Sequence, residues 1–203
     1  MIIDNALSWD NHINDLSIKL SRTNGILAKL RHFVPKVCLL SVYYAVFQSY
    51  FQYGCMLWSQ STAKNLNRIR VLQKKGLRIL NFSHYNSHTN NLFKDCKILK
   101  IDDIIKNEQI KFAFQFINNS LPIDLNSLLQ INVNRYNTRN MSKGGLVIPK
   151  IKTLAYGERS LRYSIPKNWN EFLKQIDDIK NIKTLSMLKK MLKNLALNLY
   201  TLN

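Results

Sequence analysis

An apolar run from Val37 to Trp58, broken only by single polar residues, is the strongest constraint on how this chain folds. Ser41, Gln48, Ser49, Gln52 and Gly54 interrupt it too often for a transmembrane segment of about 20 predominantly apolar residues. It therefore predicts a buried helix at the centre of a core. Pro35 suits the first helical position, because its missing N–H would be unpaired there anyway. The helix runs through Tyr43, Tyr44, Phe47 and Phe51 toward Gly54, a kink or stop. It is apolar nearly all round, the signature of a helix covered on every side.

Amphipathic helices flank this run. Ile13, Leu16, Leu20, Leu27 and Leu30 recur at helical spacing over residues 11–32, with Lys19, Arg22 and Lys29 on other faces. Ser61-Thr62 caps a helix from Ala63 to Phe82, whose apolar side is Leu66, Ile69, Leu72, Ile79 and Leu80. A short helix around Leu92–Lys97 leads to Asp102, which can cap a helix from Asp103 to Asn118 with Ile105, Phe112, Phe116 and Ile117 inward. Leu121-Pro122 ends that helix, and a short turn follows through Leu125–Leu129.

Residues 130–167 change character. Gly144-Gly145, Pro149, Gly157 and Pro166 punctuate β-branched and aromatic stretches, so irregular extended structure is expected there. Helical pattern returns at Trp169–Ile176 and from Leu185 to Leu199. The expected fold class is mainly α: a helical bundle over residues 1–85, then a basic extension over 86–203 containing the irregular segment 130–167.

The 203 residues carry 30 Lys and Arg against 12 Asp and Glu, a formal charge of +18 that favours a polyanionic partner or anionic surface. Residues 1–60 hold five basic and three acidic side chains, 61–120 hold eleven and four, and 121–203 hold fourteen and five. The electrostatic surface is thus expected beyond the first segment. Cys38, Cys55 and Cys96 form no disulfide framework, and Met1-Ile2-Ile3-Asp4 does not open a signal peptide. An intracellular setting, nuclear or cytoplasmic, and no membrane partner are the expectation.

The positive charge gathers in two candidate binding sites. One is the basic side of the third helix: Arg68, Lys74, Lys75 and Arg78, with Arg70. No acidic residue lies between Ala63 and Phe82, so ion pairs within the helix cannot neutralise it. The plainer reading is a solvated helix face. The other site is Arg135, Arg139, Lys143, Lys150, Lys152, Arg159, Arg162 and Lys167, opposed by Glu158 and interleaved with Tyr136, Tyr156 and Tyr163. Cations meet phosphates and rings stack on unpaired bases, a mixture that suits single strands or junctions. Its plainer reading is a loop pegged to the core by tyrosines. Trp9, Trp58 and Trp169 are read as core. His84, His88 and Cys96 could offer three zinc ligands, but no fourth is evident; loop histidines and a buried thiol are the preferred reading. No Cys-x-x-Cys, nucleophile motif or phosphate loop occurs, since Lys143-Gly144-Gly145 lacks the trailing Gly-Lys-Ser/Thr.

One resemblance covers most of the chain in order. It begins with Leu7-Ser8-Trp9-Asp10-Asn11-His12-Ile13, Pro35, Tyr43-Tyr44-Ala45-Val46-Phe47 and Tyr53-Gly54 followed by Trp58. It continues through Leu72-Gln73-Lys74-Lys75, Ser120-Leu121-Pro122, Tyr136-Asn137-Thr138-Arg139 and Tyr156-Gly157 to Trp169-Asn170. This order resembles the region just after the palm in reverse transcriptases of jockey-like non-LTR retrotransposons. The resemblance implies that Met1–Asp4 leaves the palm. Residues 5 to roughly 85 would be a helical thumb gripping the template–primer duplex, and the rest a C-terminal extension.

It also implies where catalysis lies. Polymerases of this kind hold two Mg²⁺ ions with paired aspartates on a β-hairpin and a third on a neighbouring strand. Asp102-Asp103 sits at a helix start, where capping explains it, and Asp177-Asp178 sits in a polar loop. The chain is therefore expected to be a non-catalytic fragment of an RNA-directed DNA polymerase, with no catalytic residues, metal or cofactor of its own. Mg²⁺ would belong to the palm of the parent. Its expected partners are RNA, DNA or an RNA–DNA hybrid, and a reverse-transcriptase palm. The rivals are a helical protein-interaction scaffold and a decayed mobile-element remnant with no activity.

Overall fold

The computed structural model describes residues 1–132, 144–153, 157–176 and 182–200, and these are mainly helical. The helices are α1 (Asp10–Leu30), α2 (Lys36–Val42), α3 (Ser49–Gln52), α4 (Cys55–Trp58), α5 (Ala63–Leu80), α6 (Asn90–Asp95), α7 (Ile101–Ile117), α8 (Leu161–Gln175) and α9 (Leu185–Leu199). A π-helical stretch, Tyr43–Gln48, joins α2 to α3, and a 3₁₀ turn spans Ile123–Leu128. The chain divides into two compact units: Met1–Ile105 with Asn194–Asn203, and Lys106–Lys193. The divisions fall inside α7 and α9.

In the first unit, α1 and α5 pack along each other and run in the same direction. Asp10 accepts from Asn65 Nδ2 (2.5 Å), and Asn24 Nδ2 donates to the Leu72 carbonyl (3.0 Å). The helix start of α1 is built by Asp4, whose carboxylate accepts from Ser8 N–H (2.9 Å), Ser8 Oγ (2.8 Å) and Trp9 N–H (3.2 Å). These bonds hold the Asp4 pKa below its usual value. Trp9 and Trp58 are buried, with His12 between them at ring distances of 6.3 and 6.4 Å.

Pro35 stands at the cap of α2 and not, as expected, at its first helical position, which Lys36 takes; the Pro35 carbonyl accepts from Cys38 and Leu39 N–H. The long helix it opens continues through Gln52, and Gly54 stops it at φ +62°, a conformation glycine adopts without steric penalty. The expectation that this helix is covered all round is corrected. Only Leu39, Tyr43, Phe47 and Phe51 form a fully buried stripe, whereas Val37, Tyr44 and Tyr50 are exposed. A helix can bury only as many faces as it has neighbours, and composition does not count neighbours.

Gln73 ties the next layer down. Buried on α5, it donates to Tyr43 Oη (3.2 Å) and the Leu99 carbonyl (2.9 Å), and accepts from Ile101 N–H (2.9 Å). That last bond satisfies an orphan donor at the start of α7. Asp102 is therefore not the cap that was expected: it lies inside the first turn. On α7 the buried side chains include Ile101, Ile104, Ile110, Ala113 and Phe114, while the expected Ile105, Phe112, Phe116 and Ile117 are only half-buried.

In the second unit α8 begins at Leu161, well before the expected Trp169, and contains Pro166. Proline disfavours a helix interior, but here its ring is buried with Ile165, Trp169, Phe172 and Leu173. Trp169 Nε1 donates to the Gly144 carbonyl (3.0 Å). Asn170 bonds both the N–H (2.9 Å) and carbonyl (2.7 Å) of Leu146, which also forms an isolated antiparallel bridge with Ile131.

Candidate nucleic-acid interface

Thr62 starts α5, its hydroxyl accepting from Asn65 N–H at 3.4 Å. Asn65, Ile69, Gln73, Gly76, Leu77 and Leu80 form the buried side. The opposite side follows from helical geometry: Lys64, Asn67, Arg68, Val71, Lys74, Lys75 and Arg78 recur at i, i+3, i+4 and i+7 spacing. All but the half-buried Arg78 are exposed. Lys64 and Asn67 escaped the sequence reading, although Lys64 stands four residues before Arg68 and that spacing alone places it on the same face.

The cations of this helix differ in their partners. Arg70 lies on the flank, half-buried, and grips the Asp102 carboxylate through Nη2–Oδ1 (2.7 Å) and Nε–Oδ2 (2.9 Å). That bond raises the Arg70 pKa further above its already high value. Arg68 Nη1 donates to Asn14 Oδ1 (2.5 Å) and Arg78 Nε to the Ser87 carbonyl (3.0 Å), both neutral acceptors. Lys74 and Lys75 are exposed and make no hydrogen bond or ion pair among the described residues. No acidic residue occurs in sequence between Asp15 and Asp95, so nothing within α5 itself balances the charge of this face. Beside it, a groove of about 450 Å³ between α1 and α5 is lined by Ser17, Ile18, Ser21, Asn67, Arg68, Val71 and Leu72.

The second candidate site is only partly described. Arg135, Tyr136, Arg139, Lys143 and Tyr156 lie outside the described residues. Glu158 N–H donates to the Thr153 carbonyl (3.2 Å), and Gly157 lies so close to Ile151 that a Cβ there would sit 2.9 Å from it. The stretches carrying Lys150, Lys152, Arg159 and Arg162 are thus adjacent. Lys150, Lys152 and Arg162 are exposed and Arg159 is half-buried. Tyr163 is half-buried, with Lys167 Nζ 5.5 Å from its ring centre.

The carboxylate pair Asp102-Asp103 is occupied structurally. Asp102 holds Arg70, and Asp103 accepts from the Tyr200 hydroxyl, whose Oη also accepts from Lys100 N–H (2.9 Å). Burial first, then the Asp103 bond, pushes the Tyr200 phenol well above its usual pKa. Asp177-Asp178 lies outside the described residues. The Cys96 thiol is buried against the Asn81 amide, and His84 and His88 are exposed. Among the described residues no group of three or more His, Cys, Asp or Glu is placed to hold a metal ion. No described helix is long and apolar enough to cross a membrane.

Compared with known proteins, the chain is 25% identical over 114 residues to the RNA-directed DNA polymerase from mobile element jockey of Drosophila melanogaster. The chain is similar to part of a reverse transcriptase. The match covers 54% of this chain and 12% of that polymerase, so the chain spans a small part of its relative's length. No protein-family model matches the chain, and no solved structure does.

The tryptophans and side-chain amides of the sequence motifs do mostly internal work. Trp9 and Trp58 enclose His12, Gln73 links α5 to Tyr43 and α7, and Trp169 and Asn170 hold the 144–146 backbone. Lys74 and Lys75, next to Gln73 in sequence, point the other way.

Proposed function

We propose that this chain is the non-catalytic, post-palm portion of a retrotransposon RNA-directed DNA polymerase. Residues 1–85 would act as its helical thumb and 86–203 as a basic extension. It holds template RNA, DNA or an RNA–DNA hybrid through phosphates along the outward face of α5, with little sequence preference. Catalytic aspartates and Mg²⁺ would come from the palm of the parent polypeptide, and the chain needs no cofactor of its own. The observation that carries this reading is the single-sided row of cations on α5, where Lys74 and Lys75 are unpaired among the described residues. Folding gains little from such a row, because the charges repel one another and touch no acid. Phosphates spaced along a nucleic-acid strand neutralise it and release counterions, which makes binding salt-dependent.

The test is a salt titration of binding to a hybrid duplex. Reversing Lys74, Lys75 and Arg78 to Glu should lower the slope of log K against log salt by about 1 for each lost phosphate contact. Affinity at low salt should fall at least roughly tenfold. An unchanged slope places the contacts elsewhere. A partner protein bound equally at all salt concentrations would instead favour the scaffold reading.

A second reading has its own observation. Met1, Ile2, Ile3 and Leu7 are 45–61% exposed, apolar side chains in the segment where a palm would pack. If the chain completes a palm supplied separately, polymerase activity appears only on mixing the two.

A further inference from the structure

We propose that the end of the first unit where the α1–α2 turn meets the α5–α6 connection is a stacking platform for the unpaired bases of a single-stranded nucleic acid. This deepens the nucleic-acid reading above and rests on it. The two connections are tied together by several contacts. Lys36 Nζ donates to Asn81 Oδ1 (2.7 Å), the Arg31 guanidinium lies 5.0 Å over the Phe82 ring, and His32 meets that ring edge-on at 6.0 Å. Arg78 Nε holds the far side of the α5–α6 connection at the Ser87 carbonyl.

On these connections the aromatic rings face solvent instead of the core. Phe33 is 83% exposed, Phe82 58% and Tyr85 77%. Scattered surface apolar residues need no explanation, but three rings on two touching connections form a feature. Phe82 is the most telling. It occupies the position just past the end of α5 at φ +53°, where Ser83 N–H closes back to the Arg78 carbonyl (3.0 Å). Glycine or asparagine usually fills that left-handed position, because a Cβ is sterically strained there. α6 and α7 stop in the same way, at Lys97 and Asn119; at Phe82 this left-handed stop carries a ring that stays more than half exposed.

The chemistry around the rings points to one occupant. Arg31, Lys36 and Arg78 bond or stack across the two connections, Lys29 stands in the last turn of α1, and the one acid near them in sequence is Asp95, beside the Cys96 that bonds Asn81. Aromatic faces with flanking cations bind single strands, the rings stacking bases and the cations meeting the phosphates between them. A duplex keeps its bases stacked internally and offers the rings little. The row on α5 contacts phosphates of either form, so the rings add the discrimination that the row lacks.

The experiment compares fluorescein-labelled oligouridylate, oligothymidylate and a hybrid duplex of equal length, bound by the whole chain. Phe82→Gly alone, and Phe33→Ala, Phe82→Gly and Tyr85→Ala together, are the variants. Phe82→Gly relieves the left-handed backbone, so its Tm should stay level or rise, which keeps the test independent of folding. Single-strand affinity should fall roughly tenfold for each ring that stacks a base, with duplex affinity and its salt slope unchanged. Loss on oligouridylate alone would assign the platform to RNA, and loss on both oligonucleotides to single strands generally. Unchanged single-strand binding overturns the platform and leaves the α5 reading intact. Equal losses on single strand and duplex overturn it too. Loss of binding to phosphatidylserine vesicles with oligonucleotide affinity unchanged would assign the rings to a lipid surface, also overturning it. If the wild-type chain binds none of the oligonucleotides, both readings fall together.

Discussion

The inward and outward sides of α5 are both polar at intervals, yet their polar groups meet opposite fates. Inward, Asn65 donates to Asp10, and Gln73 serves Tyr43, Leu99 and Ile101 at once. Outward, Lys74 and Lys75 meet no partner among the described residues, and Arg68 and Arg78 reach only neutral acceptors. A buried polar group must be satisfied within the protein or it destabilises the fold, whereas a solvated cation is satisfied by water. The inward side is therefore under folding constraint and the outward side is free to serve a partner. Arg70, half-buried between them, is held by Asp102 and so shares in the folding constraint.

Substitutions on the inward side should change stability and leave nucleic-acid binding by the folded protein alone. The largest effect is expected for Gln73→Ala, which strands the Ile101 N–H and the Leu99 carbonyl and should cost about 2–4 kcal/mol. Urea denaturation reads this directly, and an unchanged midpoint would mean that Gln73 does not hold α5 to α7.

Gly76→Ala should come next. A Cβ there would sit 2.6 Å from Asn24 Oδ1, and Asn24 is itself buried and bonded to the Leu72 carbonyl. The clash outweighs the helix propensity gained from alanine, for a net loss of roughly 1–2 kcal/mol. Removing the neighbour as well, with Asn24→Ala, should recover part of it. If Gly76→Ala proves stabilising, α1 and α5 can move apart without penalty.

The smallest effect separates the flank from the face. A double-mutant cycle on Arg70 and Asp102 should give a coupling near 0.5 kcal/mol, because the pair is partly solvated, and it should shrink in salt. Arg70→Ala should leave the salt slope of hybrid binding almost unchanged. A slope that drops as far as it does for Lys74 would move Arg70 into the interface.

Much of the first unit was legible in the residues. The Thr62 cap, the 3.6-residue rhythm of α1 and α5 and the stop at Gly54 are local properties, set within a few residues of chain. The cation row was legible for the same reason, since a helical face follows from spacing alone; Lys64 was there to be found. Less legible were the features made by contact between distant segments. Nothing in the spacing of Gln73 marks it as the cap of α7, and nothing in the apolar run from Val37 to Trp58 says which of its faces goes uncovered. Pro166 misled for a related reason: its local preference is to interrupt a helix, but its buried position among Ile165, Trp169 and Phe172 sets the context there.

By itself, then, the sequence determined the helical class, the main helix spans and the side of α5 that would carry charge, because periodicity and capping act between near neighbours. Only the tertiary structure decided which cations keep their charge free. Arg70 and Lys74 look alike in the sequence, and an aspartate from another helix separates them. The same holds for Phe82: its residue type predicts burial, and only the meeting of two connections leaves its ring in solvent with an arginine across its face.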